Sequence, residues 1–136
     1  MARILAIDYG GKRTGLAVTD PLQIIATGLA MIESKELIPF LKKYLAAEAV
    51  ELIIIGLPKN WDDTDTHGTP LVEAAIKKLQ KEFPATPLKT VDERYTSKMA
   101  KDAMLEMGMK KKDRRVKGNV DIIAATIILQ EYLGRL

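Results

Sequence analysis

The run "ELIIIGLP" (Glu51 to Pro58) restricts the fold of this chain more than any other stretch. No polar side chain interrupts it between Leu52 and Leu57, so a strand there has no face to offer to water. Such a strand belongs at the centre of a sheet and is covered on both sides. The rest of the chain supplies neighbours and covers. Arg3 to Tyr9 and Thr14 to Thr19 predict two strands joined by a Gly-containing turn, hence a hairpin. Gln23 to Ile32 predicts a third strand, with Gly28 marking a bulge. Ser34 is expected to cap a helix running to about Ala49, with Leu37, Phe40, Leu41, Tyr44 and Leu45 on one face. Pro39 argues for a later start, because it falls beyond the first turn of a helix capped at Ser34. A second helix is expected from about Pro70 to Phe83, and a fifth strand from Thr86 to Glu93. Thr96 or Ser97 is placed to cap a helix ending near Gly108, and Asn119 to cap a last one, "VDIIAATIILQEYL". A hairpin-led meander followed by βα units predicts an α/β domain, a mixed sheet with helices packed on its faces.

The 136 residues suit one domain over 1–136, with a real core. The absence of cysteine excludes disulfides, thiolate zinc sites and thiol catalysis. No apolar run approaches the roughly 18 residues of a membrane span, and the N-terminus lacks a signal-peptide pattern. A cytoplasmic protein with no membrane partner is expected. The net charge of +3 is unevenly placed. "KKKDRRVK" (Lys110 to Lys117) holds six basic residues and one acid, whereas the remaining chain has 15 basic and 17 acidic residues. All of the excess positive charge therefore lies in one short segment. Such segments are solvated loops or attract phosphate backbones.

Three acids stand at the ends of apolar elements. The period of two puts Asp8 on one face with Ile4 and Ala6, where an unpaired charge is costly. Glu93 shares a side with Lys89 and Val91, and Asp121 lies at helical spacing from Ala124, Ala125 and Ile128. Each has an innocent reading. Asp8 closes a turn through its backbone amides, Glu93 pairs with Arg94, or Asp121 is a first-turn acid favoured by the helix dipole. Together they suggest something else. Carboxylates that meet repel one another unless a cation sits among them, and hard divalent ions take oxygen ligands. Spacing alone does not bring the three together.

Four stretches carry a family likeness: "AIDYGGKRTGLAVTDP" (Ala6 to Pro21), "IIIGLPKN" (Ile53 to Asn60), "VDERYTS" (Val91 to Ser97) and "VDIIAATIILQEYL" (Val120 to Leu133). In this order, and over nearly the whole chain, they resemble the YqgF/RuvX family, a branch of the ribonuclease-H-like nucleases related to Holliday-junction resolvases. The resemblance implies a ribonuclease-H-like fold, with a five-stranded mixed sheet whose first three strands are antiparallel and helices on both faces. It also implies that Asp8, Glu93 and Asp121 converge as catalytic ligands of Mg²⁺ or Mn²⁺. Two departures stand out. Related resolvases offer a second acid one turn from the last, where this chain has Gly118, Ala124 and Ala125. The loop "NWDDTDTHG" also carries Asp63 where the family has glycine, which leaves the roles of Asp62, Asp63 and His67 open.

The function expected on these grounds is metal-dependent hydrolysis of phosphodiesters in structured RNA, with branched DNA as the alternative substrate. Lys12, Arg13 and Arg94 are expected to neutralise phosphate, with Lys110, Lys111, Lys112, Arg114, Arg115 and Lys117 tracking the backbone. The family is associated with maturation of the 5′ end of pre-16S ribosomal RNA as well as with junction resolution. No stretch announces a dimer interface, so a monomer or weak homodimer is expected. Two rivals belong to other classes. "DYGGKRTG" also resembles the phosphate loop of actin-like and sugar-kinase ATPases, whose second domain 136 residues leave no room for. A non-catalytic nucleic-acid-binding module fits the missing fourth acid.

Overall fold

The structure, a computed structural model, describes residues 2–57, 69–92 and 117–134, and for Asp92 and residues 117–121 the backbone alone. Five strands form one sheet: β1 (Arg3–Tyr9), β2 (Arg13–Thr19), β3 (Ala26–Glu33), β4 (Val50–Leu57) and β5 (Leu88–Asp92). Their spatial order is β3-β2-β1-β4-β5. β1 pairs antiparallel with β2, and β2 with β3, while β1–β4 and β4–β5 are parallel. This is the mixed sheet expected, with its first three strands antiparallel. The expected helix over about 96–108 lies outside the described residues.

Helices cover both faces. α1 (Leu37–Ala47) and α2 (Thr69–Glu82) pack on one side, where Leu37, Leu41, Val72 and Leu79 meet Leu5, Ile7, Leu16, Ile53 and Ile55. On the other, Ala125, Ile128 and Leu129 of α3 (Lys117–Gly134) meet Ile4, Ala6, Ala17, Leu52, Ile54 and Val91. From Leu52 on, β4 feeds both cores in alternation, and this is why its sequence admits no polar residue between Leu52 and Leu57. Ile53, Ile54 and Ile55 are each at most 1% exposed, and each contributes about 1.5–3 kcal/mol by burial. α3 has a second buried side formed by Ala124 and Ile127, so it is apolar nearly all round, as a helix buried on more than one side must be. Among the described residues, no helix is long and apolar enough to cross a membrane.

Three local expectations change. β3 starts at Ala26, later than the expected Gln23, because the Asp20 carboxylate accepts hydrogen bonds from the backbone N–H groups of Leu22, Ile24 and Ile25. Those amides are closed into a turn, with Gln23 at φ 59°, before a ladder can use them. Ser34 does not cap α1. It opens a 3₁₀ turn (Ser34–Glu36) and α1 follows from Leu37, so Pro39 falls within the first turn, where N–H groups lack helical partners anyway. Asn119 lies inside α3, which is already under way at Lys117, and does not cap it. The bulge foreseen at Gly28 is present: Leu16 pairs with Ala30 and Ala17 with Gly28, leaving Leu29 as the extra residue.

Candidate active site at the carboxyl end of β1

Asp8 is the penultimate residue of β1 and is half-buried. Ile4 and Ala6, which share its side of the strand, belong to the core beneath α3. Its carboxylate therefore emerges on the α3 face, as the period of two predicts. Directly across the ladder stands Gly15, so the neighbouring strand places no side chain beside it. On the other flank the parallel strands keep level. Ile7 pairs with Ile55, and the next residue of β4, Gly56, pairs with Val91. The carboxyl ends of β1, β4 and β5 thus share one edge, with the backbones of β1 and β5 roughly 10 Å apart. Crevices outside the carboxyl ends of parallel strands are where α/β sheets bind ligands.

The turn after Asp8 is tied down by one serine. The Ser34 hydroxyl donates to the Gly10 carbonyl, and the Ser34 backbone N–H donates to the Lys12 carbonyl at 2.9 Å. Because its only hydroxyl proton is committed to Gly10, Ser34 Oγ must accept from Thr14 Oγ1, 2.8 Å away. Thr14 is fully buried and Ser34 is 8% exposed, so this network is shielded from competing water. Glycine is required at position 10, since a Cβ there would lie 2.6 Å from the Arg13 carbonyl oxygen. Lys12 and Arg13 face a hollow of about 450 Å³, with Gly11, Glu33 and Lys35 completing its wall.

The last helix approaches the same face. Ile122 and Thr126 of α3 pack onto β3 at Gly28, where a Cβ would meet Ile122 Cγ2 at 2.5 Å. Asp121 precedes Ile122 on this helix, and its backbone alone is described, as is that of Lys117. Of the residues grouped with Asp121 by spacing, Ala125 and Ile128 face the sheet, whereas Ala124 belongs to the separate buried side. Lys89 and Val91 of β5 also face α3: Val91 joins that core, and Lys89 Nζ lies 5.9 Å from the Tyr132 ring centroid. Glu93 and Arg94, the basic residues Lys110, Lys111, Lys112, Arg114 and Arg115, and the loop residues Asp62, Asp63 and His67 lie outside the described residues. Among the described residues no three acids or histidines gather as a metal site. Sequence reasoning missed Ser34, Thr14 and Lys35. Ser34 carried only the signal of a helix cap, and nothing in linear order linked it to Gly10.

The five-stranded mixed sheet with helices on both faces is shared with known proteins. The family model described as "RuvX: Holliday junction resolvase" matches residues 2–135. The chain belongs to this family. Relatives named "Putative pre-16S rRNA nuclease" include one from Christiangramia forsetii, 52% identical over 133 residues that cover 98% of each chain. Another, from Bacteroides thetaiotaomicron, is 53% identical over 133 residues, 98% of this chain and 96% of its own. Among solved structures, T. thermophilus RuvC in complex with a Holliday junction substrate superposes with a TM-score of 0.56 at 15% identity, covering 99% of this chain and 96% of that one. A second T. thermophilus RuvC structure gives 0.53 at 12% identity, covering 98% and 95%. The RuvX-family chain therefore has the ribonuclease-H-like fold that its motifs implied.

Proposed function

We propose that this RuvX-family chain is a divalent-metal-dependent nuclease of the cytoplasm that hydrolyses phosphodiester bonds in structured RNA. Its expected task is processing the 5′ end of pre-16S ribosomal RNA. One observation carries the reading: the half-buried Asp8 emerges beside a glycine, on the sheet face covered by the helix that bears Asp121. The names of relatives about half identical over nearly the full length support the substrate.

Asp8, Glu93 and Asp121 would hold Mg²⁺ or Mn²⁺. The donor set fits, being carboxylate oxygens without sulfur or imidazole, as hard ions prefer. When bound, such ions supply an activated water and neutralise charge on the leaving oxygen. The chain's own residues do the rest. The Gly10–Arg13 turn, held by Ser34, presents Lys12 and Arg13 to phosphate oxygens beside Asp8. Arg94 and the basic segment Lys110–Lys117 add contacts to the backbone. Aromatic residues make up 5% of the chain and none interrupts the basic segment, so selection rests on substrate shape rather than base stacking. The family description favours a second reading, cleavage of branched DNA. Side-by-side cleavage of precursor RNA and a four-way DNA junction with Mg²⁺ separates the two. Faster cutting of the junction overturns the RNA assignment, and no divalent-dependent cutting of either overturns the nuclease.

A further inference from the structure

Tyr9 and Asp8 point to opposite faces of the sheet. Asp8 belongs to the α3 side, whereas Tyr9 packs at the border of the α1–α2 core. The Gly10–Arg13 turn is the ridge between the two faces, and positive charge continues across it. Lys12, Arg13 and Lys35 border the 450 Å³ hollow at the turn. Lys35 also borders a second, smaller hollow on the α1–α2 side, which Tyr9 and Lys78 of α2 help to line. Among the described residues, Glu33 is the one acid lining either hollow. Its ion pair with Lys35, 3.2 Å long, joins side chains 64% and 76% exposed. Such a pair is worth little in water and is readily given up to a phosphate. The spacing of Lys12 and Lys35 is built in, because the Lys12 carbonyl accepts from the N–H of Ser34, the residue before Lys35.

We propose that Lys12, Lys35 and Lys78 form a phosphate track that leads a single-stranded flank of the substrate over the Gly10–Arg13 turn, from the Asp8 face to the α1–α2 face. This rests on the nuclease reading for the identity of the substrate, and it adds a binding surface on the side opposite α3. A single strand fits and a duplex does not. A duplex is stiff, with a persistence length on the order of 150 base pairs in DNA, so following a path around a four-residue turn costs it bending energy that a single strand does not incur. Recognition by three flexible ammonium groups is indifferent to base sequence and strongly dependent on salt.

The test uses the full chain carrying Asp8→Asn, so that binding is read without cutting. Its ligands are two labelled RNA duplexes, one blunt and one extended by about ten unpaired nucleotides, a typical single-strand site size. The flank should tighten binding. Adding Lys35→Ala and Lys78→Ala should remove that gain, about 25-fold at about 0.1 M salt, and reduce the log–log salt slope by about 1.4, or about 0.7 per phosphate contact. Binding of the blunt duplex should not change. Lys43→Ala, on exposed α1 surface outside both hollows, should leave the flank's effect intact. The track is overturned if the flank brings no gain, or if its gain survives loss of both lysines in chains with unchanged melting temperature. Cleavage by the unsubstituted chain is scored separately. Cutting without a lysine-dependent flank removes the track alone, and a lysine-dependent flank without cutting removes the nuclease alone.

Discussion

Asp8 and Gly15 are direct partners across the β1–β2 ladder, so β2 places no side chain directly opposite the carboxylate. Under the proposed assignment this half-buried carboxylate, at the end of a core strand, is a metal ligand. Asp8→Asn is expected to abolish Mg²⁺-dependent cleavage and to leave melting without metal equal or higher, since repulsion among neighbouring carboxylates is relieved. A variant that melts earlier yet still cuts would show Asp8 to be structural.

The serine that holds the turn gives a second expectation. Ser34→Ala leaves the buried Thr14 hydroxyl and the Gly10 carbonyl short of a partner, at a cost of about 1–3 kcal/mol. Gly10→Ala forces its Cβ against the Arg13 carbonyl and should cost a similar amount, about 1–3 kcal/mol. Urea titration measures both. Each should also slow cleavage beyond its effect on folding, because Lys12 and Arg13 sit on the same turn.

Contact between β3 and α3 is testable by a double-mutant cycle. Gly28→Ala drives a methyl into Ile122 Cγ2 and is expected to destabilise by about 1–3 kcal/mol. Ile122→Ala removes the obstructing carbon, so the double variant should be more stable than the two single losses predict. A coupling of at least about 0.5 kcal/mol in thermal or urea unfolding is the expected sign of direct contact. Strict additivity would contradict it.

Asp20 supplies the pH dependence. Its carboxyl is held below the usual 3.8, chiefly by the Ile25 N–H and further by those of Ile24 and Leu22. A group whose pKa is lower in the folded chain stabilises fully above its unfolded value. That contribution is lost as pH falls through the folded value. Asp20→Asn should therefore lower stability at neutral pH and flatten its fall below about pH 4, so that the two chains converge in acid. Acid titration followed by circular dichroism reads the difference, and an unchanged acid limb would contradict it.

Much of this fold was legible because burial imposes period. The apolar run of β4, the alternation of β1 and the helical spacing in α2 each announce which faces are covered. The strand carrying Asp8 and the side on which it emerges followed from the same alternation. What escaped depended on contacts across long sequence distances. Ser34 looks like a helix cap because capping and turn-latching use the same hydroxyl, and only the fold brings it to Gly10, 24 residues away. Lys35 and Lys78 look like ordinary surface lysines until the chain folds them beside one hollow. The late start of β3 was hidden by Asp20, whose side chain takes the amides of residues that would otherwise extend the strand.

Among the described residues, α3 alone roofs one side of the sheet, and it also bears Asp121. Under the proposed metal assignment, chemistry and solidity are vested in one segment. Evolution could then remodel α1 and α2 while leaving Asp8 and Asp121 in place, but every adjustment of this helix would also move a proposed metal ligand.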